Sequence, residues 1–459
     1  MATPRAHPQH NHRDRDCQPL KNFKPNRSLS FFKAYWHLHT FDGDVCNHER
    51  NTPWRFSTAG FHFVTKPPTM RNYPAIAFFL FVMGSLWAGA NPNIHIRGGL
   101  PNAAKVFNQT ERGHVAFIGG SITQMNGYRP MVVASLKKRF PSTKFTITSA
   151  GLSSTCSTSG AFRLREQVLN QGPADLIYVE FAVNDDQDAA HDRTAAIRGF
   201  EGIIRHIRTH NPKADIVATY FVNPNLMDHY RKGSVATSIA AHEEVTRHYD
   251  IPVINLAREI QQQLDAGNMT WQQFGGVHPA PLGNRHCANM HEELMDHVWK
   301  NTEGTTKDHP VPEALDKHCY DDGSWIAPDH ATFEDGWHVT VPNWSEIKGS
   351  FRKDYAKRPF LVTETPEAIS KLKFEGNAIG AFVLAGPDAG RLSYRIDHSD
   401  WSTVDLYHRF SRGLHYPRTV MFGSGLPDGK HTLELKLLPP AKGSKRPANA
   451  ARIMTFAVN

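Results

Sequence analysis

From about residue 113 short apolar runs alternate with amphipathic stretches. His114-Val115-Ala116-Phe117-Ile118 reads as a buried strand. Pro130 to Phe140 reads as a helix, with the proline tolerated in its first turn. Phe145 to Thr148 and Leu176 to Phe181 read as the second and third strands. Ile203, Ile204 and Ile207 mark a helix over about 194–209, and Asp215 to Tyr220 a fourth strand. A helix over 234–248, a strand at Pro252 to Asn255 and a helix over 288–299 follow. Strands separated by helices predict an α/β domain, with a parallel sheet covered by helices on both faces.

The pattern changes near residue 304. Thr302-Glu303-Gly304-Thr305-Thr306, with Pro310 and Pro312, reads as a linker. Beyond it the period is two. Leu372 and Phe374 alternate with Lys, and Leu433, Leu435 and Leu437 with Thr432, Glu434 and Lys436. Turn signals such as Pro427-Asp428-Gly429 separate the runs. Residues 304–459 are expected to form a small antiparallel β-sandwich. Residues 91–303 are expected to hold the α/β domain.

Residues 1–69 show neither period. Then come Met70-Arg71-Asn72, an apolar run from Ala75 to Trp87, and Ala88-Gly89-Ala90. A cationic start, a short apolar core and A-x-A describe a secretory signal peptide. The run is too short to span a bilayer, which takes about 20 residues. The expectation is a start at Met70, cleavage after Ala90 and a secreted or periplasmic protein. Residues 1–69 would then be an upstream extension that is not native. An uncleaved anchor and a buried core helix are the alternatives.

This split changes the reading of the charge. The chain of 459 residues carries a net +8, which would ordinarily raise nucleic acid as a partner. Residues 1–69 hold 10 Lys and Arg against 5 Asp and Glu, and Arg71 adds one more positive charge, so residues 91–459 keep +2. No nucleic-acid role is expected, and no stable membrane insertion. Charged residues at 21% and apolar ones at 40% fit globular domains. Of five cysteines, Cys156, Cys287 and Cys319 follow residue 90; an odd number allows at most one disulfide and leaves a free thiol. No spacing among them resembles a zinc site.

In an open parallel sheet, chemistry gathers at the carboxyl ends of strands. The first strand ends in Gly119-Gly120-Ser121, the second in Ser149-Ala150-Gly151 and the third in Ala182-Val183-Asn184-Asp185. Far downstream lies Gly275-Gly276-Val277-His278-Pro279. Ser121 offers a hydroxyl nucleophile and His278 a base. The N–H groups of Ser121 and Gly151, with the Asn184 amide, offer an oxyanion hole. Taken singly each is weak: glycines after strands solve turn problems, and asparagines there cap helices. Their order carries the weight.

Those four blocks resemble the SGNH hydrolases, also called GDSL esterases and lipases, over about residues 110–300. Gly119-Gly120-Ser121-Ile122 is similar to the nucleophile block, with Gly120 at the usual Asp position. Gly151 and Asn184 match the second and third blocks, with Ala182 where a Gly is common. His278 matches the last. The resemblance implies a three-layer α/β/α, flavodoxin-like fold and hydrolysis of esters through a serine acyl-enzyme, without metal or organic cofactor. The family usually has an Asp three residues before the His; here that position is Gly275. A backbone carbonyl orienting His278 in a Ser–His dyad is the expectation. An acid from elsewhere, completing a triad, and an impaired site are the alternatives.

His242-Glu243-Glu244 with His248, and His291-Glu292-Glu293 with His297, are set aside as zinc motifs. The second His falls six residues after the first rather than four. These stretches read as solvated helix faces, and Asp185, Asp186 and Asp188 as a solvated helix-starting turn. Trp325, Trp337, Trp344, Trp401, Tyr407 and Tyr416 look exposed and suit either sugar stacking or packing. The function expected is an exported serine esterase acting on O-acyl, foremost O-acetyl, esters of a carbohydrate. A lipase or small-ester hydrolase is the alternative within that chemistry, and a non-catalytic glycan-binding protein the alternative outside it.

Overall fold

A computed structural model describes residues 91–300 and 303–459. The extension, the signal peptide with its cleavage site, Cys17 and Cys46 lie outside the described residues. The first domain is built on a six-stranded sheet. Its strands are β1 (Ile94–His95), β2 (Arg112–Gly119), β3 (Lys144–Gly151), β4 (Leu176–Glu180), β5 (Asp215–Thr219) and β6 (Val253–Ile254). They lie in the order β1-β6-β5-β4-β2-β3, parallel except for β1 against β6. The sheet is flavodoxin-like, as expected. β4 and β5 are buried at every position, because helices cover both faces of a central parallel strand. β3 is an edge strand, and half of its positions are exposed.

The helices are α1 (Ala103–Thr110), α2 (Ser121–Gln124), α3 (Tyr128–Arg139), α4 (Ser157–Gln167), α5 (Ala182–Gln187) and α6 (Arg193–His210). After them come α7 (Pro224–Arg231), α8 (Thr237–His248), α9 (Leu256–Asp265), α10 (Trp271–Phe274) and α11 (Pro281–Val298). α4, α6 and α8 pack side by side, and α3 packs on α11. α6 starts where the Asp192 side chain accepts from Ala195 N at 2.8 Å, and buries Ile197, Phe200, Ile203, Ile204 and Ile207. The chain leaves β2 for β3 on one side and then crosses to β4 on the other. The reversal therefore falls at the carboxyl end of β2, where a crevice is expected.

Two antiparallel sheets form the second domain. One has the order β15 (Tyr416–Ser424), β12 (Ala378–Ala385), β17 (Ala451–Val458), β10 (Phe360–Thr363), β9 (Trp337–Thr340), with β7 (Ser324–Ile326) also on β17. The other runs β14 (Ser402–Asp405), β13 (Arg391–Ile396), β16 (Lys430–Leu438), β11 (Ile369–Glu375), β8 (Thr332–Phe333). Their shared core includes Leu372, Leu392, Leu433, Leu435 and Leu437.

β12 has no polar face. Ile379, Ala381, Val383 and Ala385 enter the sandwich core, while Phe382 and Leu384 enter a second cluster with Trp344, Tyr355, Phe360 and Leu152. Leu152 belongs to the first domain and directly follows Gly151, so the domains share an apolar joint beside a strand end. The segment read as a linker is held along the first domain. His309 Nε2 lies 2.8 Å from Asp215 Oδ1, and Arg208 Nη1 donates to Pro310 O at 2.7 Å. Leu315 N donates to Glu201 Oε1 at 2.7 Å, and Tyr320 packs on Phe162. Trp337, Trp344 and Tyr416, expected to be exposed, are buried. Cys156, Cys287 and Cys319 are buried free thiols.

Candidate active site at the carboxyl ends of the sheet

Ser121 opens the short helix α2 directly after β2. That turn rests on Glu180, at the end of β4. One carboxylate oxygen of Glu180 accepts from Gly120 N at 2.9 Å, Thr123 N at 3.1 Å and Thr123 Oγ1 at 2.7 Å. Burial pushes the Glu180 carboxyl up to about 7, against these hydrogen bonds and the Arg163 cation. Arg163 of α4 is wholly buried and joins the strand ends: Nη2 donates to Gly119 O at 2.8 Å and Nη1 to Ala150 O at 2.6 Å. The side-chain site at Gly151 is filled by the backbone of Thr123 and Gln124. Only glycine lets α2 lie this close to β3.

Asn184 comes in from α5, and its amide carbonyl rests on Gly120. A side chain at position 120, where the family usually has Asp, would run into it. Asn184 Nδ2 donates to Asp188 Oδ2 at 2.5 Å. An amide nitrogen has two N–H bonds, so one remains for an oxyanion. The turn carrying Asp188 is gripped by the second domain, through His408 Nε2 at 2.9 Å from Asp188 O and Arg409 on Gln187 O.

His278 stands between α10 and α11. α10 opens with a capping box from Thr270 and Gln273, and ends at Gly275 in the left-handed region, φ 108°. Ala280 N donates to Phe274 O at 2.7 Å, and buried Asn284 donates to Pro279 O at 2.6 Å. These bonds close the loop and bring His278 Nε2 to 2.8 Å from Ser121 Oγ. Residues 157 positions apart thus make a nucleophile–base pair.

The family's acid cannot be restored at Gly275 in this loop. A side chain there meets the Ala280 backbone nitrogen, and the positive φ disfavours any residue with a Cβ. Among the described residues, the hydrogen bond found at His278 is that of Nε2 with Ser121 Oγ, and none is found from Nδ1 to a backbone carbonyl. The charges that act on the ring are Asp188, which raises its pKa, and Arg352 of the second domain, which lowers it. Burial is the largest effect, and the net result is below the ordinary imidazole value.

Three sequence readings need correction. Asp185 is not in a solvated turn but wholly buried, accepting from Ser157 N, Ser157 Oγ and, at 2.8 Å, His242 Nε2. Its carboxyl is held well below the usual range by His191 and His242, although burial opposes this. His242 and His291 are likewise wholly buried, the latter between Cys287 O and Thr219 Oγ1. Without a zinc spacing these stretches read as solvated faces, but His242 packs against α5 and α6, and His291 against α3 and the strands β4 and β5. Glu180 had a visible signal, a lone carboxylate ending the apolar strand Leu-Ile-Tyr-Val. Arg163, Asp188 and Arg352 had none.

Comparison with known proteins fits this geometry. Residues 117–286 match the family model of the GDSL-like Lipase/Acylhydrolase family. The first domain is a GDSL-like acylhydrolase. Such a domain is a carboxylic ester hydrolase. No curated protein matches the chain. Among solved structures, a two-domain esterase active on acetylated mannans, co-crystallised with mannopentaose, has a TM-score of 0.60 at 19% identity. The match covers 77% of this chain and 93% of that one. A second structure of a two-domain esterase active on acetylated mannans gives 0.61 at 20% identity, covering 77% and 94%. The fold they share with this chain extends over both domains. Among the described residues, no helix is long and apolar enough to cross a membrane.

Proposed function

We propose that this GDSL-like chain is an exported serine esterase that removes O-acetyl groups from a carbohydrate. The 2.8 Å contact between Ser121 Oγ and His278 Nε2 carries the reading. Ser121 Oγ attacks the ester carbonyl as His278 Nε2 takes its proton. The N–H groups of Ser121 and Gly151 and the free N–H of Asn184 hold the oxyanion. His278 returns the proton to the leaving sugar hydroxyl, leaving an acetyl-serine. Water, deprotonated by His278, then releases acetate. The imidazolium formed in each step is held without a carboxylate on Nδ1, so the pair works as a dyad with Asp188 supplying field rather than contact. Export follows from the signal-peptide pattern at residues 70–90.

The carbohydrate part is supported by the space between the domains. A cavity of about 540 Å³ is lined by Gly151, Leu152, Gln167, Trp325, Asp354 and Tyr355. The Trp325 indole nitrogen and Tyr355 hydroxyl that border it are buried without protein partners. Donors left unpaired beside a polar cavity suit sugar hydroxyls. The similar two-domain esterases act on acetylated mannans. The test is acetate release from acetylated mannan and xylan, against an acyl lipid and an aryl acetate. Release from the aryl acetate or lipid alone would replace the carbohydrate reading with the lipase or small-ester one.

The base must be neutral to accept a proton, so kcat/KM falls on the acid side through the pKa of His278. Since burial and Arg352 lower that pKa, the midpoint is expected below the free imidazole value of about 6.5. Arg352→Gln removes a lowering charge and is expected to move the midpoint up. A pH profile of aryl acetate hydrolysis checks both; a wild-type midpoint above 6.5 would contradict the assignment.

A further inference from the structure

Three donors of different chemistry converge behind the oxyanion asparagine. Cys156 stands just ahead of α4, Asp185 follows Asn184 in α5, and His191 lies in the turn before α6. Cys156 Sγ, an oxygen of Asp185 and a ring nitrogen of His191 all lie within 4.8 Å of one another. His191 Nδ1 is 3.5 Å from Asp185 Oδ1, and the side chains are 12% and 0% exposed. His191 Nδ1 is itself buried and has no hydrogen-bond partner. Its contact with the Asp185 carboxylate has ion-pair rather than hydrogen-bond geometry, which leaves room for a closer partner between the carboxylate and the thiol.

We infer that Cys156, Asp185 and His191 form a binding site for a divalent transition-metal ion, zinc foremost. One sulfur, one nitrogen and one oxygen donor suit zinc, which is borderline-soft and four-coordinate. Bonds of about 2.3 Å to sulfur and about 2.0–2.1 Å to nitrogen and oxygen put tetrahedral donors roughly 3.3–3.7 Å apart. The present spacing reaches that range with small side-chain shifts.

The surrounding contacts belong to such a site as well. The Asp185 carboxylate is oriented by Ser157 N at 2.7 Å, Ser157 Oγ at 2.6 Å and His242 Nε2 at 2.8 Å. His191 Nε2 faces Thr158 Oγ1 at 3.4 Å, which leaves Nδ1 for the metal. Outer partners of this kind fix ligand geometry in metal sites. Cys156 and His191 also line a cavity of about 290 Å³ with Asp188, Tyr416 and Arg418, which gives a water room as fourth ligand.

The ion takes no part in hydrolysis. It ties the start of α4 to α5 and so holds the helix that presents Asn184. The inference is independent of the esterase reading, because its readouts are binding and stability.

The test uses the full chain, stripped with a chelator and titrated with cobalt(II) and then zinc. Cobalt(II) bound to a thiolate in four-coordinate geometry gives a near-ultraviolet charge-transfer band and strong visible bands. The expected result is one equivalent bound, displaced by zinc, with the melting temperature raised by several degrees. Cys156→Ser and His191→Gln should each lose the band and the shift, with circular dichroism confirming that both are folded. His191→Gln carries the test where Cys156→Ser is unstable. No band with the wild-type chain would overturn the inference. So would a band and shift that persist in the variants, since the histidines and cysteines of residues 1–69 would then be the ligands.

Discussion

Replacing Ser121 with Ala is expected to abolish hydrolysis of a short aryl acetate, with a loss on the order of a million-fold in kcat. The oxyanion donors survive the change, because they are backbone groups at Ser121 and Gly151 and the Asn184 amide. A residual rate above the uncatalysed one is therefore expected. The fold is not at risk. α2 is held by Glu180 through Gly120 N, Thr123 N and Thr123 Oγ1, none of which involves the Ser121 hydroxyl. Circular dichroism of the variant should match the wild type. Equal turnover by both proteins would remove the enzyme reading and leave a glycan-binding one.

Arg163→Ala is expected to be the most damaging change outside the reacting groups, at about 3–5 kcal/mol of stability. It strips charge-assisted bonds from Gly119 O and Ala150 O inside the protein and takes away the cation nearest Glu180. Urea unfolding at several pH values separates the parts. The Glu180 carboxyl is raised in the folded state, so its contribution is full below about 4.5 and is lost as pH rises through about 7. Without Arg163 the folded pKa rises further, and the charged form becomes costlier. The deficit of the variant should therefore be level up to about pH 7 and grow above it, where Glu180 of the wild type is already ionised and that of the variant is not. A deficit independent of pH would show that Arg163 acts only through its hydrogen bonds. Arg163→Lys should rescue little, because one ammonium cannot reproduce a planar fork spread over two carbonyls.

The legible part of the first domain was its central strands. Leu176 to Val179 and Ile216 to Ala218 are continuous apolar runs, the signature of parallel strands covered on both faces. The helix expected over 288–299 is longer, Pro281–Val298, because Pro281 sits in its first turn and polar Asn284 and His286 hid the earlier part. α4 was missed because its sequence, Ser-Thr-Ser-Gly-Ala-Phe-Arg-Leu, mixes small polar residues with a buried arginine. β12 was missed because alternation is a sign of one wet face, and this strand has none.

The sequence by itself determined which strand ends carry chemistry. Gly151 ends a strand, and Gly120-Ser121 and Asn184 follow one within a few residues, so local chain geometry is enough to bring them to the same edge of the sheet. It also determined that a histidine was available, but not how it is held. Only the tertiary structure decided that Gly275 leaves no room for an acid, because the obstacle is the backbone of Ala280 folded back upon it. It alone decided that Asn184 is steadied by Asp188 and by a loop of the second domain, and that Asp185, His191 and Cys156 meet in the interior. The physical reason is range. Periodicity and turn chemistry record how a residue meets its neighbours in the chain, whereas burial of Glu180, Arg163 and Asp185 depends on strand order and domain contact that bring together residues far apart in the chain.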